Sequence, residues 1–338
     1  MNRYEAKDYL IKSKMTYKKY FMLPETTNHI LTLSLVNSID ECSTKLSKSD
    51  FNLTTRGGYR PITPTQIVEF ATQAGFAQVE GVATSPAKKK RSDKKLKITR
   101  DVVIRALKQM VATKTEIKSP LEIVASVNLC GRGDAEYVNR VKALGITSMV
   151  FDCEYIEDQN SLISYVEAVL PECSGLALYA KVYKFELEKY ITFAQKGISV
   201  WTNGISEITM NGQMEVFPIS LDTTDQTNTT IDMYDEKWKE MVDVVAEKDC
   251  KCFTCSKNNS VSYVHHLLLC HELTGSTLVS LHNVTKTKVF EVFLNELINS
   301  GDKAKFEKFE NIIKALVPPP QSSKRKLYES FNRKEEDD

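Results

Sequence analysis

Short apolar runs alternate with stretches of helical spacing along most of the chain. HILTLSLV (29–36), FNLTT (51–55), AQVEG (77–81), LEIVASV (from Leu121), SMVFD (148–152), LALYAKV (176–182) and ISVWT (198–202) read as strands. They are rich in β-branched and aromatic residues and too short for helices. Between them, ITPTQIVEFATQAG, AEYVNRVKALG, LISYVEAVLP and FELEKYITFAQKG carry helical periodicity. The first has its own start signal, with Thr63 as N-cap, Pro64 at the first helical position and Gln66 placed to complete a capping box. Two of the others close on a glycine, as helices that end in a left-handed residue do. From about residue 122 the strands recur roughly every 25 residues and are almost continuously apolar, which suits parallel strands covered on both faces. The rhythm predicts an α/β fold built on a parallel barrel or a doubly wound sheet.

Three segments break it. AKKKRSDKKLK (87–97) is basic without apolar periodicity, DTTDQTNTTID (222–232) is polar, and PPPQSSKRKLYESFNRKEEDD (318–338) is a charged tail; all three are expected as loops or disorder. The chain's 45 basic and 44 acidic residues cancel to a net +1, so overall charge announces neither a nucleic-acid nor a membrane partner. The basic run could grip phosphates, but reads first as a solvated loop. MNRYEAKDYLIKSKMTYKKY is too polar for a secretory signal and no apolar run approaches a membrane span of about 18 residues, so a soluble, intracellular protein is expected. In a reducing compartment cysteines do not form a disulfide framework, and Cys42, Cys130, Cys153 and Cys173, scattered through apolar segments, read as core thiols.

The other four cysteines and four of the five histidines crowd into CKCFTCSKNNSVSYVHHLLLCHELTGSTLVSLHN, residues 250–283. Cys250-x-Cys252-x-x-Cys255 has polar neighbours and a spacing that lets three thiolates converge on one tetrahedral Zn²⁺, which wants four N or S ligands in a closed structural site. Candidates for the fourth are His265, His266, Cys270, His271 and His282, and spacing does not choose among them. Reaching His282 requires the helical run after Cys255 to break, near Gly275, because a straight helix would carry it about 40 Å away. A redox reading of Cys252-x-x-Cys255 lacks a preceding strand. A metalloprotease H-E-x-x-H fails because His271-Glu272 meets Gly275 where the second histidine belongs. GRGDAE (131–136) has Glu136 where a dinucleotide fingerprint needs its third glycine, so it reads as a βα turn.

CxCxxC, Tyr263-Val-His-His-Leu267, Glu272 and His282-Asn283 together resemble the zinc motif of the tRNA-guanine transglycosylases, which exchange guanine at the anticodon wobble position for queuine or its precursor. Thr63-Pro64 resembles that family's L-T-P-E helix start, and GISVWTNGISEITMNGQMEVF (197–217) its G-V-D-x-F-D-C-V-x-P-T-R-x-A-R-N-G-x-x-F segment. The resemblance spans roughly residues 50 to 295 and is strongest after 190. It implies a (β/α)8 TIM-type barrel, here lacking its first strand and helix, with a zinc-binding insertion near the C-terminus. It also implies one structural Zn²⁺ on Cys250, Cys252, Cys255 and His282. The implied layout is a barrel portion over 1–245 with disordered loops near 87–97 and 219–236, a zinc-binding and helical dimerisation region over 246–316, and a disordered tail over 317–338.

Where active members carry an F-D-C aspartate that attacks the glycosidic carbon, this chain reads Trp201-Thr202-Asn203. A neutral threonine with no adjacent base is a poor replacement for a carboxylate already charged at neutral pH. The P-T-R-x-A-R, D-S-G-G-F-Q and G-G-L-x-V-G stretches are absent too. A literal F-D-C at Phe151-Asp152-Cys153 ends a strand, where barrel catalytic residues sit, but is followed by EYIED and precedes the cysteine cluster by about a hundred residues. The resemblance therefore implies a non-catalytic subunit, with no catalytic residue of its own and no bound organic cofactor. Such a subunit pairs with the catalytic subunit of queuine tRNA-ribosyltransferase in a heterodimer on tRNA, in the cytoplasm and peripherally at the mitochondrial outer membrane. The alternatives are a divergent active enzyme using Asp152 and a zinc-stabilised interaction module without tRNA contact.

Overall fold

A computed structural model describes residues 12–20, 22, 30–31, 51–55, 58–82, 93–153, 159–182, 186–202, 204–222 and 227–317. The chain divides into two compact units, residues 1–181 and 182–338.

Unit 1 runs α1 (Tyr17–Tyr20), β1 (Ile30–Leu31), β2 (Phe51–Thr55), β3 (Gly58–Ile62), α2 (Pro64–Gln73), β4 (Gln78–Glu80), α3 (Asp93–Glu116), β5 (Glu122–Asn128), α4 (Asp134–Lys142), β6 (Ser148–Asp152), α5 (Gln159–Val169) and β7 (Ala177–Val182). Strands β1, β4, β5, β6 and β7 pair in that order, every pair parallel. The anticipated cap on α2 forms in full: Gln66 N–H donates to Thr63 Oγ1 at 3.2 Å, and Thr63 N–H to Gln66 Oε1 at 3.0 Å. FNLTT, expected in the βα rhythm, instead pairs antiparallel with β3, Phe51 opposite Ile62 and Thr55 opposite Gly58. Only two residues separate the strands, which permits a hairpin and leaves no room for a crossover helix. Residues 93–97 of the basic run, expected as loop, open the 24-residue α3. Lysine is a good helix former, and the buried stripe of Val103, Ala106, Leu107 and Met110 anchors the helix from which those first turns extend. Residues 87–92 and the tail from 318 lie outside the described residues.

The two faces of the parallel sheet differ in kind. Val79, Ile123, Ala125, Val127, Met149, Phe151 and Ala180 make one face apolar and buried. The alternate positions carry the sheet's polar residues around the buried Val124 and Val150: Gln78 and Glu80 on β4, Glu122 and Ser126 on β5, Ser148 and Asp152 on β6, Tyr179 and Lys181 on β7. Gln78 Nε2 donates to Glu122 Oε2 at 2.6 Å, Ser148 Oγ donates to Glu122, and the Lys181 ammonium pairs with Glu80. β4 and β7 have two strands between them, about 14 Å in a flat sheet at 4.7–4.9 Å per step. Glu80 and Lys181 touch because the sheet curls toward its polar face. The fold is thus α/β with a curled, parallel five-stranded sheet, a half-barrel; among the described residues of this unit a closed barrel of eight strands is not formed.

The GRGDAE turn is built as a βα connection. Gly131 and Gly133 take φ of 70° and 63°. The Asp134 carboxylate accepts from the N–H groups of Cys130 at 2.9 Å and Gly131 at 2.8 Å and pairs with buried Arg100.

Unit 2 contains α6 (Leu187–Gln195), β8 (Ser199–Thr202), α7 (Gly204–Met210), β9 (Gln213–Glu215), β10 (Thr230–Asp232), α8 (Phe253–Ser256), α9 (Val261–Leu269), α10 (Leu273–Asn299) and α11 (Lys303–Lys314). One core joins Leu187, Tyr190 and Ile191 of α6 to Phe217, Phe290 and Phe309; the Phe217 and Phe290 rings meet edge to face at 5.4 Å. A second joins Met214 and Met233 to Val261, Val264, Leu268, Leu278 and Val279. Part of the expected loop at 219–236 is β10, paired antiparallel with β9, Thr230 opposite Glu215 and Asp232 opposite Gln213. Its three residues are too few for the alternating pattern to stand out of a polar insert. Trp238 Nε1 donates to the Asp232 carbonyl at 2.6 Å, and the Lys237 ammonium lies 4.6 Å above the indole. Among the described residues no helix is long and apolar enough to cross a membrane.

Glu80 is buried, and burial raises its carboxyl pKa while Lys181 pulls it down. Removing one partner leaves a buried charge alone, whereas removing both leaves none. Lys181→Met should therefore lower unfolding free energy by about 3 kcal/mol, and Glu80→Gln with Lys181→Met should recover most of it in denaturant titrations. A single variant as stable as the parent would show that the pair does not hold the curl.

Candidate metal centre

The cysteine knuckle begins where polar chain turns into a single helical turn. Cys252 is the N-cap of α8 and its Sγ accepts the Cys255 N–H at 3.3 Å, while Cys250 Sγ accepts the Cys252 N–H at 3.5 Å. Backbone N–H groups aimed at sulfur favour the thiolate form, which is the form that binds metal. Thr254 Oγ1 donates to the Leu278 carbonyl at 2.7 Å, tying the knuckle to α10. The chain then reverses at Asn258, with φ of 56°, and Ser260 caps α9 by accepting from Tyr263 N–H at 3.2 Å.

The break needed to return His282 occurs at residues 270–272, before the glycine expected to make it. His271 takes a left-handed φ of 55°, and Glu272 N–H donates to the Leu267 carbonyl at 2.9 Å, closing α9. Gly275 lies inside the first turn of α10 and serves packing: a Cβ there would stand 3.0 Å from Leu267 Cβ and 3.1 Å from Leu268 N. The missing side chain lets α10 fold back closely on α9.

That return delivers His282 to the sulfurs. His282 Nδ1 lies 3.8 Å from Cys250 Sγ and 3.4 Å from both Cys252 Sγ and Cys255 Sγ. All four donor atoms lie within 4.8 Å of one another. Tetrahedral coordination with bonds of about 2.3 Å to sulfur and 2.0 Å to nitrogen separates S from N by about 3.5 Å. The four donors therefore fit one ion. Cys252, Cys255 and His282 are buried and Cys250 is half-buried, so the site is closed. Crowding sets the proton balance, since hydrogen bonds from Cys250 and Cys255 push the Cys252 thiol down to about 3 while Cys255 is pushed up. Bringing all three sulfurs into the thiolate form requires a cation between them.

The imidazole is oriented from behind. Its Nε2–H donates to the Glu215 carbonyl at 2.7 Å, which leaves the Nδ1 lone pair facing the sulfurs. Asn283 holds the same strand: its Nδ2 donates to the Gln213 carbonyl at 2.9 Å, and its Oδ1 accepts Glu215 N–H at 2.9 Å. Burial raises the Glu215 carboxyl to about 8, against the hydrogen bonds that Thr287 Oγ1 gives it at 3.0 and 3.2 Å.

The structure separates the other candidate ligands from the cluster. Buried His265 holds the Met233 carbonyl through Nδ1 at 2.8 Å, while Cys270 lies 3.7 Å from His266 Nε2 on an exposed helix face. His271 is exposed at the turn. Sequence reasoning missed Glu215; the Asn283 that directly follows His282 was the available signal, since an amide beside a ligand histidine can clamp the strand that orients it.

Of the other residues weighed for chemistry, Thr202 ends β8, with its side chain and all of Asn203 outside the described residues. Asp152 ends β6, buried, in register with Asn128 and Lys181. Cys153 and Cys173 are buried as expected, Cys130 is half-buried against Asp134, and Cys42 lies outside the described residues.

The chain thus combines a curled α/β sheet in one unit with a closed Cys3His cluster in the other that could hold one metal ion. Residues 185–311, which contain the whole cluster, match the family model of queuine tRNA-ribosyltransferase. Individual queuine tRNA-ribosyltransferases agree. That of Vibrio atlanticus is 38% identical over 63 residues, 19% of this chain and 16% of the relative. That of Buchnera aphidicola subsp. Schizaphis graminum is 34% identical over 83 residues, 25% and 21% respectively. That of Pseudomonas syringae pv. tomato is 38% identical over 71 residues, 21% and 19%. The matched stretch spans about a fifth of each of these relatives. The similarity to the tRNA-guanine transglycosylase family is thus partial and resides in unit 2.

Elemental analysis of the purified chain should find one tightly held metal ion. Cys252→Ser and His282→Ala should bring the content close to zero and lower the thermal midpoint, whereas exposed His266→Ala and Cys270→Ser should keep it. Full metal content in Cys252→Ser would refute the ligand set.

Proposed function

We propose that this chain is a non-catalytic, zinc-holding subunit of a tRNA-guanine transglycosylase. In this role it pairs with the catalytic subunit of a queuine tRNA-ribosyltransferase, contributes to tRNA binding, and supports exchange of guanine for queuine at the wobble position. Two things support this reading: the four donors converge within the matched segment, and Thr202 stands where the sequence resemblance puts the family's nucleophile. A threonine hydroxyl without a base stays protonated at neutral pH and forms no glycosyl-enzyme bond at a useful rate. Zinc is the metal that suits three thiolates and one imidazole in a closed tetrahedron with no open position for substrate. On this reading the unit 1 half-barrel is part of a (β/α)8-type architecture, the helices after Cys255 serve subunit docking, and the heterodimer works in the cytoplasm and at the mitochondrial outer membrane.

A second reading rests on Asp152, a carboxylate at the carboxyl end of a parallel strand, where barrel enzymes place catalytic groups. Labelled-guanine exchange separates the two. The chain alone should show no exchange, the chain co-purified with the catalytic subunit should, and Asp152→Ala should leave that activity within about twofold. Exchange by the chain alone that Asp152→Ala abolishes would establish the second reading instead.

A further inference from the structure

The basic run singled out in the sequence continues into α3, where the structure gives it a direction. At 100° per residue, Lys94, Lys97, Asp101, Arg105 and Lys108 fall within an arc of about 80°, opposite the buried stripe of Val103, Ala106, Leu107 and Met110. The four cations are exposed. Asp101, the one acid of the arc, is neutralised by Arg140 from α4 at 2.6 Å. Among the described residues no carboxylate pairs with Lys94, Lys97 or Lys108. A solvated helix face ordinarily mixes signs and pairs them at i and i+4, whereas among the described residues this one leaves three lysines spread over about 21 Å without a carboxylate partner.

We propose that this face of α3 is a contact for the phosphate backbone of RNA. Lysines and an arginine on one rigid face reach successive phosphates without reading bases, and release counterions as they do so. An anionic membrane fits less well: a membrane-surface helix sinks an apolar face, and the apolar stripe of α3 is buried in its own unit. The inference deepens the proposed tRNA role and rests on it for the identity of the RNA, not for the binding.

The test uses the full chain, a tRNA transcript and an unstructured 20-nucleotide RNA, with fluorescence anisotropy read across a salt series. The variant is Lys94→Ala with Lys97→Ala and Lys108→Ala, all at exposed helical positions that tolerate alanine. Lys257→Ala with Lys303→Ala and Lys308→Ala removes the same charge elsewhere. The α3 variant should weaken binding of both RNAs about tenfold or more near 100 mM salt and reduce the slope of log affinity on log salt by about 2 to 3, with an unchanged melting curve. Parental affinity and slope in that variant, equal losses in the control, or no RNA binding by the parent chain would each overturn the inference. Guanine exchange with the catalytic subunit reports separately on the proposed function. Full support of exchange with unchanged RNA binding sinks only the α3 contact; lost binding with no support of exchange by the parent sinks only the subunit role.

Discussion

The hydrogen bond from His282 Nε2 to the carbonyl of Glu215 organises unit 2. An imidazole has two nitrogens, and fixing a proton on one commits the other to the metal. Because the acceptor is a backbone carbonyl of β9, this orientation depends on strand position and on no side chain's charge. Asn283 makes the arrangement mutual by holding β9 at two points on the same edge, so the helix that carries the ligand and the strand that aims it are one construction. The knuckle joins through Thr254 and the Leu278 carbonyl on the same helix. An ion placed there closes a ring of contacts already formed.

Much of the site was legible in the residues, for physical reasons. Three cysteines at x and x-x spacing within a polar setting have few uses other than a metal, and the chemistry of the set follows from softness and geometry. The fourth ligand was not legible from spacing alone, because five donors lay within reach and only the chain reversal at residues 270–272 selects among them. That reversal was assigned to Gly275, a natural inference because glycine tolerates a left-handed backbone. Here His271 bears the positive φ, and Gly275 provides the close approach of two helices.

The fold was read well where local chemistry is decisive and poorly where pairing is. The Thr63 and Gln66 cap and the parallel order from β4 to β7 follow from patterns a few residues long. The hairpin of FNLTT depends on a partner strand that follows two residues later, and the short β10 on β9 earlier in the chain, and neither pairing is written in the residues of the strand itself. Strands that looked continuously apolar conceal a polar face, because Glu80, Glu122, Asp152 and Lys181 sit at or near strand ends and shift the average hydropathy little. Only curvature brings Glu80 and Lys181 together.

Trp238 gives the metal site an optical consequence. The indole is bonded to the carbonyl of Asp232 on β10, β10 is paired to β9, and β9 carries the carbonyl that orients His282. An ion entering or leaving four donors is thereby linked through one hairpin to an intrinsic fluorophore, one of two tryptophans in the chain. The occupancy of a spectroscopically silent ion such as zinc can therefore be sought in the emission of the native protein, without a label or a chelating dye.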